Sequence, residues 1–211
     1  MHAQKNFSRA FGLSLGLIAT FFFSQPGYGS NELFERLGQM ETRGYEREGF
    51  NSQYEVIQPQ TGCLGKYQLS LGMLQDVGYY DGSRWTSKNG IGSQEDFLRS
   101  PDVQEQAIRE AFEKNKGYIQ HFMREKHGKE VNDLGEIDSR YTEFAILGAA
   151  HLVGALAVCD CYDASRLQPL RLERRGDERR NNGFYTKAKK YAYKLTNTNS
   201  PLSDSEDSDN D

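Results

Sequence analysis

The sequence predicts a mainly α-helical fold with long loops. Apolar residues recur at helical spacing in several segments, and no segment shows the alternation that is typical of β-strands. The segment 144–153 is apolar nearly all round, which is normal for a helix buried at the centre of a fold. The segment 42–62 is rich in Gly, Ser, Asn and Gln without a helical period, so it is predicted to be a long polar loop.

The first helix is expected to begin directly after residue 29. Ser30 or Asn31 can act as its N-cap, since both side chains can accept a hydrogen bond from the first turn. Leu33, Leu37 and Met40 then fall on one side of the helix, which predicts that this side is buried.

Polar residues and glycines mark the ends of the middle helices. Ser70 is expected to begin a short helix that ends at Gly78, and Ser93 resembles the first residue of a capping box for a short turn. Pro101 predicts the start of the longest helix, because proline is favoured at the first helical position, and Gly128 suits the position just after its end.

Two further helices complete the prediction. Thr142 is expected to begin the central apolar helix. A last helix is predicted around residues 185–195, with Ala188, Tyr191 and Leu195 on one side and lysines elsewhere.

The composition excludes two broad classes of protein. The chain has 211 residues, a formal net charge of −4 and a mean hydropathy of −0.77. It is too polar for a polytopic membrane protein, and it lacks the basic excess of a dedicated nucleic-acid binder. No nucleic-acid partner is therefore expected.

The two ends of the chain differ from its body. Residues 1–29 have no acidic residue and place Lys5 and Arg9 before a short apolar run, which indicates a secretory signal peptide; an uncleaved N-terminal membrane anchor is the alternative. Residues 166–198 are predicted to be a basic helical segment, and residues 199–211 an acidic tail without a fixed structure. The basic stretch from Arg166 to Lys194 carries a net charge of +7 and could contact anionic surfaces weakly.

The three cysteines are Cys63, Cys159 and Cys161. In an exported protein an odd number suggests one disulfide bridge, here from Cys63 to Cys159 or Cys161, and one free thiol. A metal site is the competing interpretation, but the spacing is not that of a zinc site. The sequence contains no phosphate-binding loop, dinucleotide-binding fingerprint or serine nucleophile elbow, so no cofactor is expected.

Three segments together carry a family resemblance. Glu41-Thr42 ends the first helix, Gly65-Lys66-Tyr67-Gln68 follows the polar loop, and Ala150-His151-Leu152-Val153-Gly154 lies in the apolar helix. In this order they resemble the lysozyme-like superfamily, which includes goose-type lysozymes, and within it the soluble lytic transglycosylases that cleave peptidoglycan glycan strands. The run Tyr54-Glu55-Val56-Ile57-Gln58-Pro59 is also similar to one that precedes Gly-x-Tyr-Gln in such proteins. The resemblance implies a single lysozyme-like catalytic domain over residues 30–165.

The resemblance also implies a reaction and a set of roles. Glu41 would act as general acid and then as base on the β-1,4 bond between N-acetylmuramic acid and N-acetylglucosamine, leaving 1,6-anhydro ends. Gln68 and the backbone near Gly65 would position the sugar amide, while Tyr54 and Tyr67 would offer ring faces to the sugars.

One position departs from the family pattern. His151 stands where the family has the tyrosine that is expected to hold the catalytic carboxylate, and it could still donate a hydrogen bond.

Several alternatives remain open at this stage. Glu46, Glu48 and Glu55 are nearby candidates for the acid, and Glu55 or Asp76 could supply the second carboxylate of a hydrolysing muramidase. The altered residues at His151 and its neighbour also allow a non-catalytic protein that binds glycan or assists assembly.

Overall fold

The computed structural model describes residues 31–137, 141–161, 188 and 190–197. Within these ranges the chain is mainly helical, as predicted, and β-structure is limited to three isolated bridges in loops. The helices are α1 (Asn31–Glu41), α2 (Leu71–Asp76), α3 (Gln94–Leu98), α4 (Pro101–His127), α5 (Glu143–Val153), α6 (Ala155–Cys161) and α7 (190–196, with Ala188 also helical). In the described ranges no helix combines the length and apolar character needed to cross a membrane.

The helix ends follow from local sequence. Ser70, Ser93 and Thr142 each accept a hydrogen bond from the backbone N–H three residues further on, so each caps the helix that follows it. The capping box predicted at Ser93 is formed only in part, because the Asp96 carboxylate accepts from the Gly92 N–H instead. Pro101 occupies the first position of α4, and Gly128 ends that helix in the left-handed conformation.

The core forms where α1, α4, α5 and α6 meet. The rings of Phe34 in α1, Phe112 in α4 and Phe144 in α5 contact one another with centroid distances of 5.0 to 5.5 Å. Every residue from Phe144 to Ala150 is buried, which confirms the prediction for the apolar helix. Packing of these large rings buries one side of α1 against α4 and α5.

The sequence analysis did not predict α6. Gly154 adopts φ 90° and ψ 149°, which ends α5, and the chain then forms the separate helix α6. Buried residues of α6, such as Val158, extend the core.

The C-terminal helix α7 belongs to the same core. Ala188, Ala192 and Leu195 are buried, and Leu195 packs so closely on Gly148 of α5 that a Cβ added there would lie 2.2 Å from its Cδ1. This part of the predicted basic segment is thus packed rather than a solvated surface. The predicted signal peptide, the acidic tail and the rest of the basic segment lie outside the described residues.

A buried cation joins the loop before α2 to two helices. The side chain of Lys66 is completely buried, and its ammonium donates to Glu35 Oε1 of α1 at 2.5 Å and to Glu105 Oε1 of α4 at 2.7 Å. The same ammonium donates to the Tyr54 hydroxyl at 3.2 Å, and the Tyr67 hydroxyl donates to Glu105 Oε2 at 2.7 Å. Because each polar group in this cluster has a partner, the charge can be accommodated inside the fold.

The partners also set the protonation of the cluster. Burial would lower the pKa of Lys66, but the hydrogen bonds with Glu105 and Glu35 raise it overall. Burial would raise the pKa of Glu105, but the hydrogen bonds from Lys66 and Tyr67 lower it overall. The pair is therefore ionised near neutral pH.

Replacing Lys66 by methionine should destabilise the protein by about 2–3 kcal/mol, because Glu105 then remains largely buried without its cation. The figure stays at the lower end for a buried pair, since the Glu105 side chain is still 28% exposed. Arg99→Met is the matched control, as Arg99 pairs with Glu95 on the surface and should cost at most about 1 kcal/mol. Urea unfolding of both variants measures the difference, and equal losses would contradict the role given to Lys66.

The lowered pKa of Glu105 predicts a stability that depends on acidity. The contribution of this carboxylate is complete above its unfolded value of 4.5 and is lost as the pH falls through the lower pKa of the folded state. Glu105→Gln should therefore reduce stability at pH 7 and flatten its decline in acid. Unfolding free energies at several pH values test this, with the exposed Glu95→Gln as control. A variant that declines as steeply as the wild type would refute the linkage.

Candidate active site

Glu41 is the last residue of α1, and its side chain is 13% exposed. Thr42 follows it and is buried, with its hydroxyl donating to the carbonyl oxygen of Gly38 at 2.7 Å. Phe34 and Leu37 bury the same helix against the core. The carboxylate is therefore carried on a fixed helix end rather than on a mobile loop.

Tyr191 of α7 donates a hydrogen bond from its hydroxyl to Glu41 Oε1. Burial, followed by the negative charge of Glu41, raises the pKa of Tyr191 well above its ordinary value, so the hydroxyl keeps its proton and remains a donor. The side chain of Arg36 anchors the end of α7 by donating to the carbonyl oxygens of Lys194 at 2.9 Å and Asn197 at 3.2 Å. The C-terminal helix thus orients a carboxylate that lies 150 residues earlier in the chain.

His151 also lies near Glu41. Its Nε2 is 2.7 Å from the carbonyl oxygen of Tyr67 and 4.0 Å from Glu41 Oε1. A carbonyl oxygen can only accept, so Nε2 carries the hydrogen. The imidazole side chain is only 4% exposed, and within the described part of the chain its Nδ1 is buried without a hydrogen-bond partner.

A turn in front of α2 brings Gln68 to this site. Gly65 adopts φ 72°, and a Cβ at this position would lie 2.0 Å from Gln104 Oε1, so only glycine fits. Gln104 Oε1 accepts from the Lys66 N–H at 3.0 Å, and Gln68 Nε2 donates to the Gly65 carbonyl oxygen at 2.8 Å. The turn is therefore formed by internal hydrogen bonds before any ligand arrives.

These residues enclose a groove of about 410 Å³, called the Glu41 groove below. Its lining residues are Glu41, Gln58, Thr61, Cys63, Gln68, Ser70, Met73, His151 and Leu152. Hydroxyl, amide and imidazole groups surround the carboxylate, which is a lining suited to a polar, uncharged ligand such as a sugar.

The structure brings together three of the predicted site residues, Glu41, Gln68 and His151, around the Glu41 groove. Tyr54 and Tyr67 are not among its lining residues. Tyr67 is completely buried, so its ring is not available to stack on a sugar, which corrects that expectation; it takes part through its carbonyl oxygen.

Tyr54 and Gly65 serve the scaffold behind the groove. The Tyr54 hydroxyl donates to Glu105 at 3.0 Å and so belongs to the Lys66 cluster. Because Gly65 has no side chain, Gln104 can lie close to its backbone. The carbonyl oxygen of Gly65 accepts a hydrogen bond from the side chain of Gln68. Both residues act on the groove through Gln68 and the turn that carries it.

Other acidic residues that the sequence offered are placed elsewhere. Glu46, Glu48 and Glu55 are exposed and do not line the Glu41 groove. Asp76 lines a neighbouring cavity. Of these carboxylates and Glu41, only Glu41 lines the groove.

The cysteines differ from the expected arrangement. Cys63 is a free thiol in the lining of the Glu41 groove, so the bridge predicted from it to Cys159 or Cys161 is not formed. Cys159 is buried in α6 and faces α4, with its Sγ 3.9 Å from the Ile119 carbonyl oxygen. The side chain of Cys161 lies outside the described residues, and those that are described contain no group of three or more metal-ligating side chains.

Sequence reasoning missed the roles of Tyr191 and Glu105. Tyr191 was predicted to share one side of its helix with Ala188 and Leu195, and a hydroxyl on such an apolar side indicates that it needs a buried partner. Nothing in the spacing shows that this partner is Glu41.

The candidate site thus combines one carboxylate, a tyrosine hydroxyl, a histidine and a glutamine around one groove. No protein-family model, no curated protein and no solved structure matches the chain that carries it.

Proposed function

We propose that the protein is an exported enzyme that cleaves the β-1,4 bond between N-acetylmuramic acid and N-acetylglucosamine in peptidoglycan. Glu41 is its general acid and base, and the product ends are 1,6-anhydro sugars, as in a lytic transglycosylase. The ordered motifs around Glu41, Gln68 and His151 support the substrate class, and the predicted signal peptide in residues 1–29 supports a location in the periplasm or outside the cell.

One observation carries the proposal. Among the described residues that line the Glu41 groove, Glu41 is the only carboxylate. A hydrolase of the usual kind needs a second carboxylate as nucleophile or as base for water, whereas intramolecular attack by a sugar hydroxyl can use a single group in both steps. The lining therefore favours the transglycosylase over the hydrolase.

The chemistry assigned to the residues follows from their contacts. Glu41 donates a proton to the leaving glycosidic oxygen and then accepts one from the 6-hydroxyl of the muramic acid, whose oxygen attacks the anomeric carbon. Tyr191 keeps the carboxylate in one orientation through both steps, and Nε2 of His151 lies 4.0 Å from the same carboxylate oxygen. Gln68 lines the groove beside them and can hydrogen-bond the sugar amide.

Hydrolysis on the same scaffold is the second candidate. Asp76 lines a cavity that shares Ser70, Met73 and His151 with the Glu41 groove. If the glycan spans both spaces, this carboxylate could activate a water molecule, as in inverting glycosidases.

Glu41→Gln should abolish the digestion of purified cell-wall sacculi, lowering the rate by about 100-fold or more, because the amide cannot exchange the proton. Release of soluble fragments from sacculi measures the rate, and thermal unfolding checks that the variant is folded. Glu46→Gln, on the exposed turn after α1, is the matched control and should digest like the wild type. Undiminished digestion by Glu41→Gln would overturn the assignment, and a wild type without any activity would favour a non-catalytic glycan binder.

Tyr191→Phe should lower kcat by about 10- to 100-fold while leaving KM nearly unchanged, because it removes one hydrogen bond to a charged group and keeps the ring that packs on α5. Tyr193→Phe is the control on the same helix, since the Tyr193 side chain is exposed. Initial rates at several sacculus concentrations separate the two parameters. If both variants matched the wild type, Tyr191 would have no role in orienting Glu41.

A further inference from the structure

A second cavity of about 520 Å³ adjoins the Glu41 groove. It lies between α2, α4 and the start of α6, and it shares Ser70, Met73 and His151 with the groove. His151 therefore stands between the two spaces, with Nε2 on the side of Glu41 and Tyr67.

The side chains of two residues in the lining of this cavity contain buried polar atoms that have no partner in the described structure. They are Nδ2 of Asn115, whose residue is 7% exposed, and Nδ1 of His151, whose side chain is 4% exposed. A buried polar atom without a hydrogen bond is costly, by about 1–3 kcal/mol in general. A ligand group that enters this cavity can satisfy both atoms.

The chemistry of the two atoms defines that group. Asn115 Nδ2 is a donor, so it requires an acceptor from the ligand. The hydrogen of His151 is on Nε2, which leaves Nδ1 as an acceptor that requires a donor. A secondary amide supplies both, through its carbonyl oxygen and its N–H.

The rest of the lining agrees with a neutral group that carries a short alkyl part. Met73, Phe122 and Ala155 give the cavity apolar walls. Asp76 adds an exposed carboxylate to the lining, which disfavours an anionic group close to it.

We propose that this cavity, the amide pocket, binds a secondary amide of the substrate by accepting its N–H at His151 Nδ1 and donating to its carbonyl oxygen from Asn115 Nδ2. The amide comes either from an acetamido group of the glycan or from the peptide stem, and this choice of sources rests on the proposed function. Because the two atoms are buried, the ligand reaches them when rim side chains turn aside, and Tyr118 and Leu156 are the exposed lining residues that can do so.

The test follows the side-chain amide signal of Asn115 by NMR in the full wild-type protein. Three probes are titrated: the tri-N-acetylated trisaccharide of glucosamine, its fully de-N-acetylated form, and the stem tripeptide without sugar. We expect the acetylated sugar or the tripeptide to shift this signal, and the de-N-acetylated sugar to leave it unchanged. The probe that shifts it identifies the source of the amide.

Asn115→Leu provides the second arm. It should weaken binding of the active probe by about five- to tenfold, the loss of one hydrogen bond to a neutral group. It should not lower stability, because it removes an unsatisfied buried donor. Asn132→Ala, at an exposed position, is the control and should bind like the wild type.

Either of two results would overturn the proposal. One is an Asn115 signal that no amide probe shifts, or that the de-N-acetylated sugar shifts equally; this measurement on the wild type holds even if Asn115→Leu does not fold. The other is a folded Asn115→Leu with unchanged affinity. Sacculus digestion by the same wild-type sample keeps the two proposals apart, since amide binding without digestion would refute the catalytic function and leave the amide pocket standing.

Discussion

The buried ammonium of Lys66 is the interaction on which the rest of the site depends. It joins the loop before α2 to Glu35 of α1 and Glu105 of α4, and it is completely enclosed. Its backbone N–H is also held, by Gln104 of α4. Because separating the buried cation from its partners would leave charges unpaired inside the fold, these contacts hold the turn that carries Gln68 against the helix that carries Glu41. A charged cluster beneath the groove thus fixes polar groups that lie on its surface.

The second constraint comes from the C-terminal helix. Leu195 packs on Gly148, and Arg36 donates to the carbonyl oxygens at the end of α7. These contacts hold α7 where the Tyr191 hydroxyl can hydrogen-bond Glu41. The position that resembles the family's tyrosine holds His151 instead, whose Nε2 is engaged with the Tyr67 carbonyl oxygen. The two residues have different positions in the site. Tyr191 hydrogen-bonds the Glu41 carboxylate, whereas His151 lies between the Glu41 groove and the amide pocket.

Local signals in the sequence were sufficient for most helices, and for a physical reason. Caps such as Ser70 and Thr142 and the all-apolar face of α5 depend on residues within a few positions of one another. The roles of Lys66 and Tyr191 could not be predicted from local sequence. A lysine is normally exposed to solvent, and the partners Glu105 and Glu41 lie 39 and 150 residues away in the chain. The disulfide bridge from Cys63 was expected only because such bridges are common in exported proteins. In the structure the Cys63 thiol is free and lines the groove. The motif Gly65–Gln68 was identified by resemblance. Only the structure shows that the Tyr67 ring is buried and that its carbonyl oxygen binds His151.

The central claim is that a single carboxylate performs both proton transfers, and the ends of the glycan products test it most directly. Mass spectrometry of the fragments that the wild-type protein releases from sacculi should show 1,6-anhydro ends, formed when the sugar's own hydroxyl replaces water. Glu41 is the only carboxylate among the described residues that line the groove, and a carboxyl group can both donate a proton and accept one back. Fragments that carry ordinary reducing ends would contradict the account, since water rather than the sugar's own hydroxyl would then have attacked the anomeric carbon.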